Sequence, residues 1–92
     1  KKMKILAVCG LGLGSSMILK LQIEKAIKQL GIQAVVEMAD ITSASAMAGS
    51  ADVVLTSKEL ADRLGNVSAK VVTVSDYFNV NEIAEKLKEA IP

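Results

Sequence analysis

The feature that most constrains the fold is an apolar run that ends abruptly at a glycine-rich segment. Residues 4–8 are mainly aliphatic, and Cys9 follows them directly, ahead of three alternating glycines. An apolar run of this length that stops at glycines is typical of a central β-strand covered on both faces. Beyond the glycines, apolar residues recur at helical spacing from residue 15 or 16 onward, and Gly31 occupies the position of a C-terminal cap. The sequence therefore predicts a strand, a glycine loop and a helix in succession.

Strand and helix patterns alternate along the rest of the chain. The further predicted strands comprise residues 32–38, 52–55 and 70–74. Two capping boxes, Thr56 with Glu59 and Asn79 with Glu82, predict where later helices begin. A stretch of small residues at 43–50 is interpreted as a loop. We therefore predict one α/β domain over residues 1–92, Rossmann-like, with a four-stranded parallel sheet in the order 2-1-3-4 and helices on both faces.

Cys9 is predicted to lie where such a sheet binds ligands, at the carboxyl ends of the strands beside the point where the winding reverses. The glycines leave backbone amides able to converge on an anion, and the helix dipole adds to the attraction. The same field is expected to lower the pKa of the Cys9 thiol from about 8.5 toward neutrality. The predicted site comprises the nucleophile Cys9 and a phosphate-binding segment: Gly10, Leu11, Gly12, Leu13, Gly14, Ser15 and Ser16.

Other interpretations of the cysteine and its glycines are open. Cys9 could be a small buried hydrophobe beside a tight turn, but its place at the switch point favours function. A nucleotide P-loop needs a lysine after its last glycine, and a dinucleotide loop needs G-x-G-x-x-G spacing; both are lacking. Low-molecular-weight cysteine phosphatases place an arginine six residues after the cysteine, where this chain has Ser15, and no arginine is nearer than Arg63. Asp76 is the one candidate general acid, interpreted as a turn or surface residue.

The composition excludes several other classes of site. One cysteine and no histidine exclude an internal disulfide and the usual zinc or haem sites, so no metal or cofactor is expected. A net charge of +1 without a polybasic run argues against nucleic acid. Tyr77 and Phe78 are the only aromatic residues, and Phe78 is expected to pack in the core or against Ile83 as a hydrophobic staple. Glycines and serines interrupt the N-terminal apolar stretch, so the chain is expected to be cytosolic.

The strand, loop and helix sequence around Cys9, together with a later predicted strand, resembles enzyme IIB of the bacterial sugar phosphotransferase system (PTS), in the lactose/cellobiose superfamily and closest to the ascorbate-specific type. The resemblance covers the whole chain, and the loop with its continuation is its most specific part. The segments that carry it are Ile5-Leu6-Ala7-Val8-Cys9-Gly10, the loop to Ser15-Ser16, Met17-Ile18-Leu19-Lys20 and Ala51-Asp52-Val53-Val54.

The resemblance implies a phosphotransferase relay. A cysteine of IIB takes a phosphoryl group from phosphohistidine of enzyme IIA and passes it to a sugar, ascorbate or a related one, in the membrane component IIC. Cys9 matches the phosphorylated cysteine, and residues 10–16 match the phosphate loop. The implied protein is cytoplasmic and associates transiently with the membrane through IIC. Partner contacts are expected to involve Leu11, Leu13 and residues 43–50, unless the leucines pack inward.

Two other functions compete with the relay. One is a small cysteine-dependent phosphatase, against which the lack of an arginine in the loop argues; a relay protein must instead hold a labile thiophosphate without hydrolysing it. The other is a phosphorylation-sensing regulatory module. The 92 residues contain no DNA-binding segment, which argues against that function.

Overall fold

The computed structural model describes residues 3–9 and 13–91, with the side chains of the first helix described from residue 17 onward. Its elements are β1 (Met3–Cys9), α1 (Leu13–Leu30), β2 (Ala34–Asp40), α2 (Ile41–Ala48), β3 (Val53–Thr56), α3 (Lys58–Leu64), β4 (Lys70–Thr73) and α4 (Val80–Ala90). The strands form one sheet in the order β2-β1-β3-β4. All three neighbouring pairs are parallel. The predicted fold class and strand order are confirmed.

The core lies on both faces of the sheet, and β1 shows why. Ile5 and Ala7 pack into one cluster with residues of α1 and α4, whereas Leu6 and Val8 pack into a second cluster with residues of α2. Successive side chains of a strand point to opposite faces, so a strand buried on both faces needs an unbroken apolar run. The helices therefore cover both sides of the sheet, as predicted.

The small-residue stretch after β2 forms α2, so the predicted loop is wrong. Asp40 caps this helix: its Oδ1 accepts hydrogen bonds from the Ser43 backbone N–H at 2.9 Å and from Thr42 Oγ1 at 2.7 Å. These bonds, that from Thr42 above all, hold the pKa of the Asp40 carboxyl below its ordinary 3.8. Ala44 and Ala48 are both fully buried. Because they lie four residues apart, they share the face that packs toward the sheet.

Two helix boundaries depend on which residue supplies the cap. Ser57, not Thr56, caps α3, since Ser57 Oγ accepts the Leu60 N–H at 3.3 Å. Thr56 is instead the last residue of β3, so the predicted Thr56 capping box is wrong. Gly31 has a φ of 71° and closes α1 in the left-handed conformation, as predicted. The second strand begins at Ala34, two residues later than predicted.

Candidate functional site

Cys9 is the last residue of β1 and lies level with Asp40 of β2 at the carboxyl edge of the sheet. Only 2% of its surface is exposed, and its side chain belongs to the core cluster shared with α1 and α4. It also borders an open cleft. The thiol is therefore buried at a strand end, as the packing interpretation expects, and still adjoins a space that a ligand or partner could enter.

The predicted phosphate-binding segment is described in part. Gly10, Leu11 and Gly12 lie outside the described residues. The remaining four predicted residues form the start of α1: Leu13, Gly14, Ser15 and Ser16. The helix thus begins four positions after Cys9, earlier than the predicted start at residue 15 or 16. The first N–H groups of a helix have no partner within it, which suits them to an anion. Phosphate binding by residues 10–16 stays a prediction.

The cleft beside Cys9 has a volume of about 830 Å³. The carboxyl end of β1, at Cys9, and segments that follow the other three strands line it; these segments are represented by Thr42, Ser57 and Tyr77. In the order β2-β1-β3-β4 the winding reverses between β1 and β3. The cleft therefore occupies the kind of position at which open α/β sheets bind ligands.

Charged side chains of both signs line this cleft. Arg63 and Glu59 of α3 lie four residues apart, and Asp76 follows β4. Arg63 forms no ion pair with any described residue. The one ion pair among the described residues lies outside the cleft lining and joins Lys4 Nζ to Glu37 Oε1 at 3.5 Å. In the sequence, Arg63 is notable only for its distance from Cys9. Placing it in the cleft requires knowing that α3 starts at the same sheet edge as Cys9, which spacing along the chain does not reveal.

Phe78 is exposed at the rim of the cleft, so its predicted packing is wrong. Its exposed fraction is 64%, and Tyr77 is the aromatic residue that packs against the core. The backbone explains the difference. The Phe78 N–H donates to Asp76 Oδ1 at 2.9 Å, and the Phe78 carbonyl accepts from Gln22 Nε2 at 2.9 Å. These two hydrogen bonds hold the backbone of the turn at the Phe78 N–H and carbonyl. In this conformation Tyr77 packs inward and Phe78 projects outward.

The segment that carries Asp76 and Tyr77 is held by the carboxylate of Glu82. Glu82 accepts hydrogen bonds from the Ser75 N–H at 2.9 Å, from Ser75 Oγ at 2.9 Å and from the Asp76 N–H at 3.2 Å. The Asn79 cap is confirmed, since Asn79 Oδ1 accepts the Glu82 N–H at 3.1 Å. The reciprocal half of the predicted capping box is not formed, because the Glu82 carboxylate turns to Ser75 instead. These bonds, led by that from the Ser75 N–H, lower the pKa of Glu82.

Acidification is expected to weaken this part of the fold. The pKa of Glu82 in the folded chain is below its ordinary 4.5. The ionised carboxylate therefore stabilises the fold fully above that value, and the contribution is lost as the pH falls through the folded-state pKa. We expect the free energy of unfolding, measured with urea at neutral pH and at about pH 3, to fall less in Glu82→Gln than in the unaltered protein.

Glu85→Gln is the matched control for this measurement. Glu85 is an exposed carboxylate on the same helix and has no hydrogen-bond partner among the described residues. Its variant should keep the full pH dependence, and Asp40, which acts in the same direction, is present in every protein compared. Identical pH dependence in Glu82→Gln and the unaltered chain would contradict a stabilising role for this carboxylate.

The described residues offer donors for an anion rather than ligands for a metal. Within residues 3–9 and 13–91, no three Cys, Asp or Glu side chains are grouped to hold a metal ion. Ser57 and Arg63 line the cleft and can donate hydrogen bonds to an anionic group. Thr42 also lines the cleft, but its one hydroxyl proton is donated to Asp40. In the same part of the chain, no helix is both long enough and apolar enough to cross a membrane.

Comparison with known proteins places this arrangement in a family. The model of the family described as "PTS system, Lactose/Cellobiose specific IIB subunit" matches residues 4–89. The chain is 36% identical to the ascorbate-specific PTS system EIIB component of Mycoplasma pneumoniae, over 99% of this chain and 97% of that protein. It is 32% identical to the component of the same name from Salmonella typhimurium, over 96% of this chain and 88% of that protein.

Solved structures show the same fold. The lactose-specific IIB domain of Streptococcus pneumoniae superposes with a TM-score of 0.61 at 18% identity, covering 99% of this chain and 96% of that one. The cellobiose-specific IIB component of Borrelia burgdorferi superposes with a TM-score of 0.60 at 30% identity, covering 98% of this chain and 88% of that one. The first comparison bears on the fold alone.

Proposed function

Because the chain belongs to the lactose/cellobiose-specific IIB family of the PTS, we propose that it is a phosphocysteine carrier in sugar uptake. Cys9 receives a phosphoryl group from phosphohistidine of enzyme IIA and passes it to a sugar bound by the membrane component IIC. The proposed sugar is ascorbate or a related compound, on the basis of relatives at 36% and 32% identity whose names specify ascorbate. The relay takes place in the cytoplasm and at IIC.

The proposed chemistry consists of two displacements at phosphorus. In the first, the thiolate Sγ of Cys9 forms an S–P bond as the N–P bond of the donor breaks, and the departing imidazole takes up a proton. In the second, a sugar hydroxyl oxygen forms an O–P bond as the S–P bond breaks; the hydroxyl proton is released and the thiolate returns. Nothing is oxidised or reduced. Because the chain contains no histidine, its own residues cannot supply the phosphohistidine donor.

The observation that carries the proposal is the place of Cys9 at the carboxyl end of β1, in the wall of a cleft and four positions before α1. Amide N–H groups at the start of a helix favour a phosphoryl group held at this position. The Ser57 hydroxyl on the cleft wall adds a hydrogen-bond donor. Arg63 adds a positive charge that would attract the dianion.

The proposal is tested by incubating the chain with phosphorylated IIA and measuring intact mass. The expected result is the gain of one phosphoryl group, located at Cys9 by peptide mapping under conditions that preserve thiophosphates. Adding membranes that contain IIC and ascorbate should then discharge it. Lack of uptake, or uptake at another residue, would overturn the proposal.

A cysteine-dependent phosphatase is the second candidate, because Arg63 and Asp76 line the same cleft as Cys9. The sequence alone argues against it through the lack of an arginine in the loop, and the cleft supplies one from α3. The Asp76 carboxylate is already engaged, however, since its Oδ1 accepts the Phe78 N–H. In a phosphatase this residue would have to activate water or protonate a leaving group.

Asp76→Asn separates the two functions. In a carrier, the lifetime of the phosphorylated chain without an acceptor should stay within about twofold of that of the unaltered protein, because no general base is needed. In a phosphatase, loss of a general acid or base should lengthen it by about 100-fold or more. The measurement is the decay of the phosphorylated mass after removal of the donor. Asp62→Asn, an exposed aspartate on α3 outside the cleft lining, is the control.

A further inference from the structure

The carbonyl that precedes Cys9 accepts two side-chain hydrogen bonds. Thr56 Oγ1 donates to the Val8 oxygen at 2.9 Å, and the Tyr77 hydroxyl donates to the same oxygen at 3.4 Å. This carbonyl belongs to the peptide group whose N–H is that of Cys9. Because a peptide group is planar, holding its oxygen also restricts the Cys9 nitrogen and Cα from which the thiol projects.

The Thr56 bond lies where the ladder between β1 and β3 ends. Backbone pairing of these strands stops with Ala7 opposite Leu55. Pairing of β3 with β4 continues to Thr56 opposite Thr73. One residue beyond Ala7, a threonine hydroxyl therefore joins the two strands at the edge where the cleft opens.

The burial of the Thr56 hydroxyl requires an explanation. Thr56 is fully buried, and among the described residues it is the one buried side chain that is polar. A buried hydroxyl is costly unless it is hydrogen-bonded, and valine would fill the same volume in a strand without that cost. Packing alone therefore does not account for threonine at this position, whereas the Val8 carbonyl does.

The second donor is held in place by its own supports. Tyr77 packs against the core, and the segment before it is anchored to Glu82 through Ser75 and Asp76. The following carbonyl, that of Phe78, accepts a hydrogen bond from Gln22 of α1. The hydroxyl of Tyr77 thus reaches the Val8 oxygen from a segment fixed on both sides.

We propose that Thr56 and Tyr77 are positioning residues that hold the Cys9 backbone in the geometry needed for phosphoryl transfer. This inference rests on the proposed function. Thr56 is fully buried and cannot touch a partner protein, so its hydroxyl acts only through the backbone of Cys9. Its loss should slow transfer without weakening binding of the donor.

The test compares Thr56→Val, which keeps the side-chain shape, with Thr56→Ser, which keeps the hydroxyl. At saturating phosphorylated IIA, Thr56→Val should lower kcat by about tenfold, the scale of one lost neutral hydrogen bond, with KM within about twofold. Thr56→Ser should restore most of kcat. Thr73→Val is the matched control, since Thr73 lies opposite Thr56 on β4 and its hydroxyl forms no hydrogen bond among the described residues. It should leave kcat unchanged.

A spectroscopic readout that does not depend on transfer accompanies the kinetics. Losing a hydrogen bond makes a carbonyl less polarised, so the ¹³C resonance of the Val8 carbonyl should move upfield in Thr56→Val and stay in place in Thr73→Val. If Thr56→Val fails to fold, Tyr77→Phe provides the same test at the longer bond, with kcat lowered about two- to threefold.

Distinct results would overturn the inference. An unchanged kcat alongside a shifted Val8 resonance would show that the bond is dispensable. An unmoved resonance would show that the bond is not formed, and a Thr56→Ser protein as slow as Thr56→Val would show that the hydroxyl is not the active feature. Failure of the proposed function looks different: the unaltered protein would take up no phosphoryl group at all, whatever the state of the Val8 carbonyl.

Discussion

Replacing Cys9 by serine is expected to reduce phosphoryl uptake from phosphorylated IIA by at least about a thousandfold, the scale seen when a nucleophile is removed from an active site. A hydroxyl is far less ionised than a thiol near neutral pH, and no second cysteine or histidine in the chain can replace it. The substitution removes little volume, so the fold should persist. Intact mass after incubation with the phosphorylated donor measures the result.

Cys9→Ala is the control that separates weak nucleophilicity from a lost site. Both variants should unfold in a single transition near that of the unaltered protein, and neither should gain a phosphoryl group on the time scale of the unaltered reaction. Slow labelling of the serine variant with none in the alanine variant would still agree with a nucleophile at position 9. Labelling of Cys9→Ala would place the acceptor elsewhere and contradict the proposed function.

The largest effect on stability is expected for Leu19→Ala, and the same helix supplies its control. Leu19 and Leu21 are both leucines of α1, but Leu19 is fully buried and Leu21 is 54% exposed. Truncating Leu19 should lower the free energy of unfolding by about 3 kcal/mol through lost transfer energy and a residual cavity. Truncating Leu21 should change it by no more than about 0.5 kcal/mol.

Urea unfolding measures the loss of unfolding free energy in both leucine variants, provided that the m value is unchanged. For a chain of 92 residues, about 3 kcal/mol corresponds to a fall in Tm on the order of 15 °C. Because α1 begins four positions after Cys9, phosphoryl uptake at temperatures near the lowered Tm should also fall in the Leu19 variant. Equal losses for the two leucines would mean that the packing of α1 onto the sheet is not as described.

The sheet could be predicted from sequence because its signals are local. The apolar run of β1 reflects burial on both faces, and Gly31 ends α1 by its own conformation. Helix α2 was not predictable in the same way. Apart from Ile41 and Met47 its residues are small, and none is charged, so hydrophobic periodicity is weak; its cap, Asp40, is also the last residue of β2. Because Asp40 both ends β2 and caps α2, no turn separates the two elements to mark where the helix begins.

Within the candidate site, the position of Cys9 was the most predictable part. Cys9 follows directly from the strand and glycine pattern, and the strand order places it at the switch point. Asp76 could be singled out as a candidate acid from its place after the last predicted strand, whereas Arg63 reaches the cleft through the packing of α3, which no sequence motif indicates. Thr56 was wrongly predicted to be a helix cap because a threonine before a helix resembles one. Its burial and its hydrogen bond to Val8 depend on the tertiary structure and leave no signal in the local sequence.

The walls of the cleft come from the end of β1 and from three separate segments, each of which follows one of the other strands. Thr42, Ser57 and Asp76 belong to neither of the two core clusters. Sequence divergence in this fold can therefore alter one lining segment of the cleft at a time. Grafting one such segment from a relative with a different partner should alter recognition while the other two segments and the cysteine strand are inherited intact.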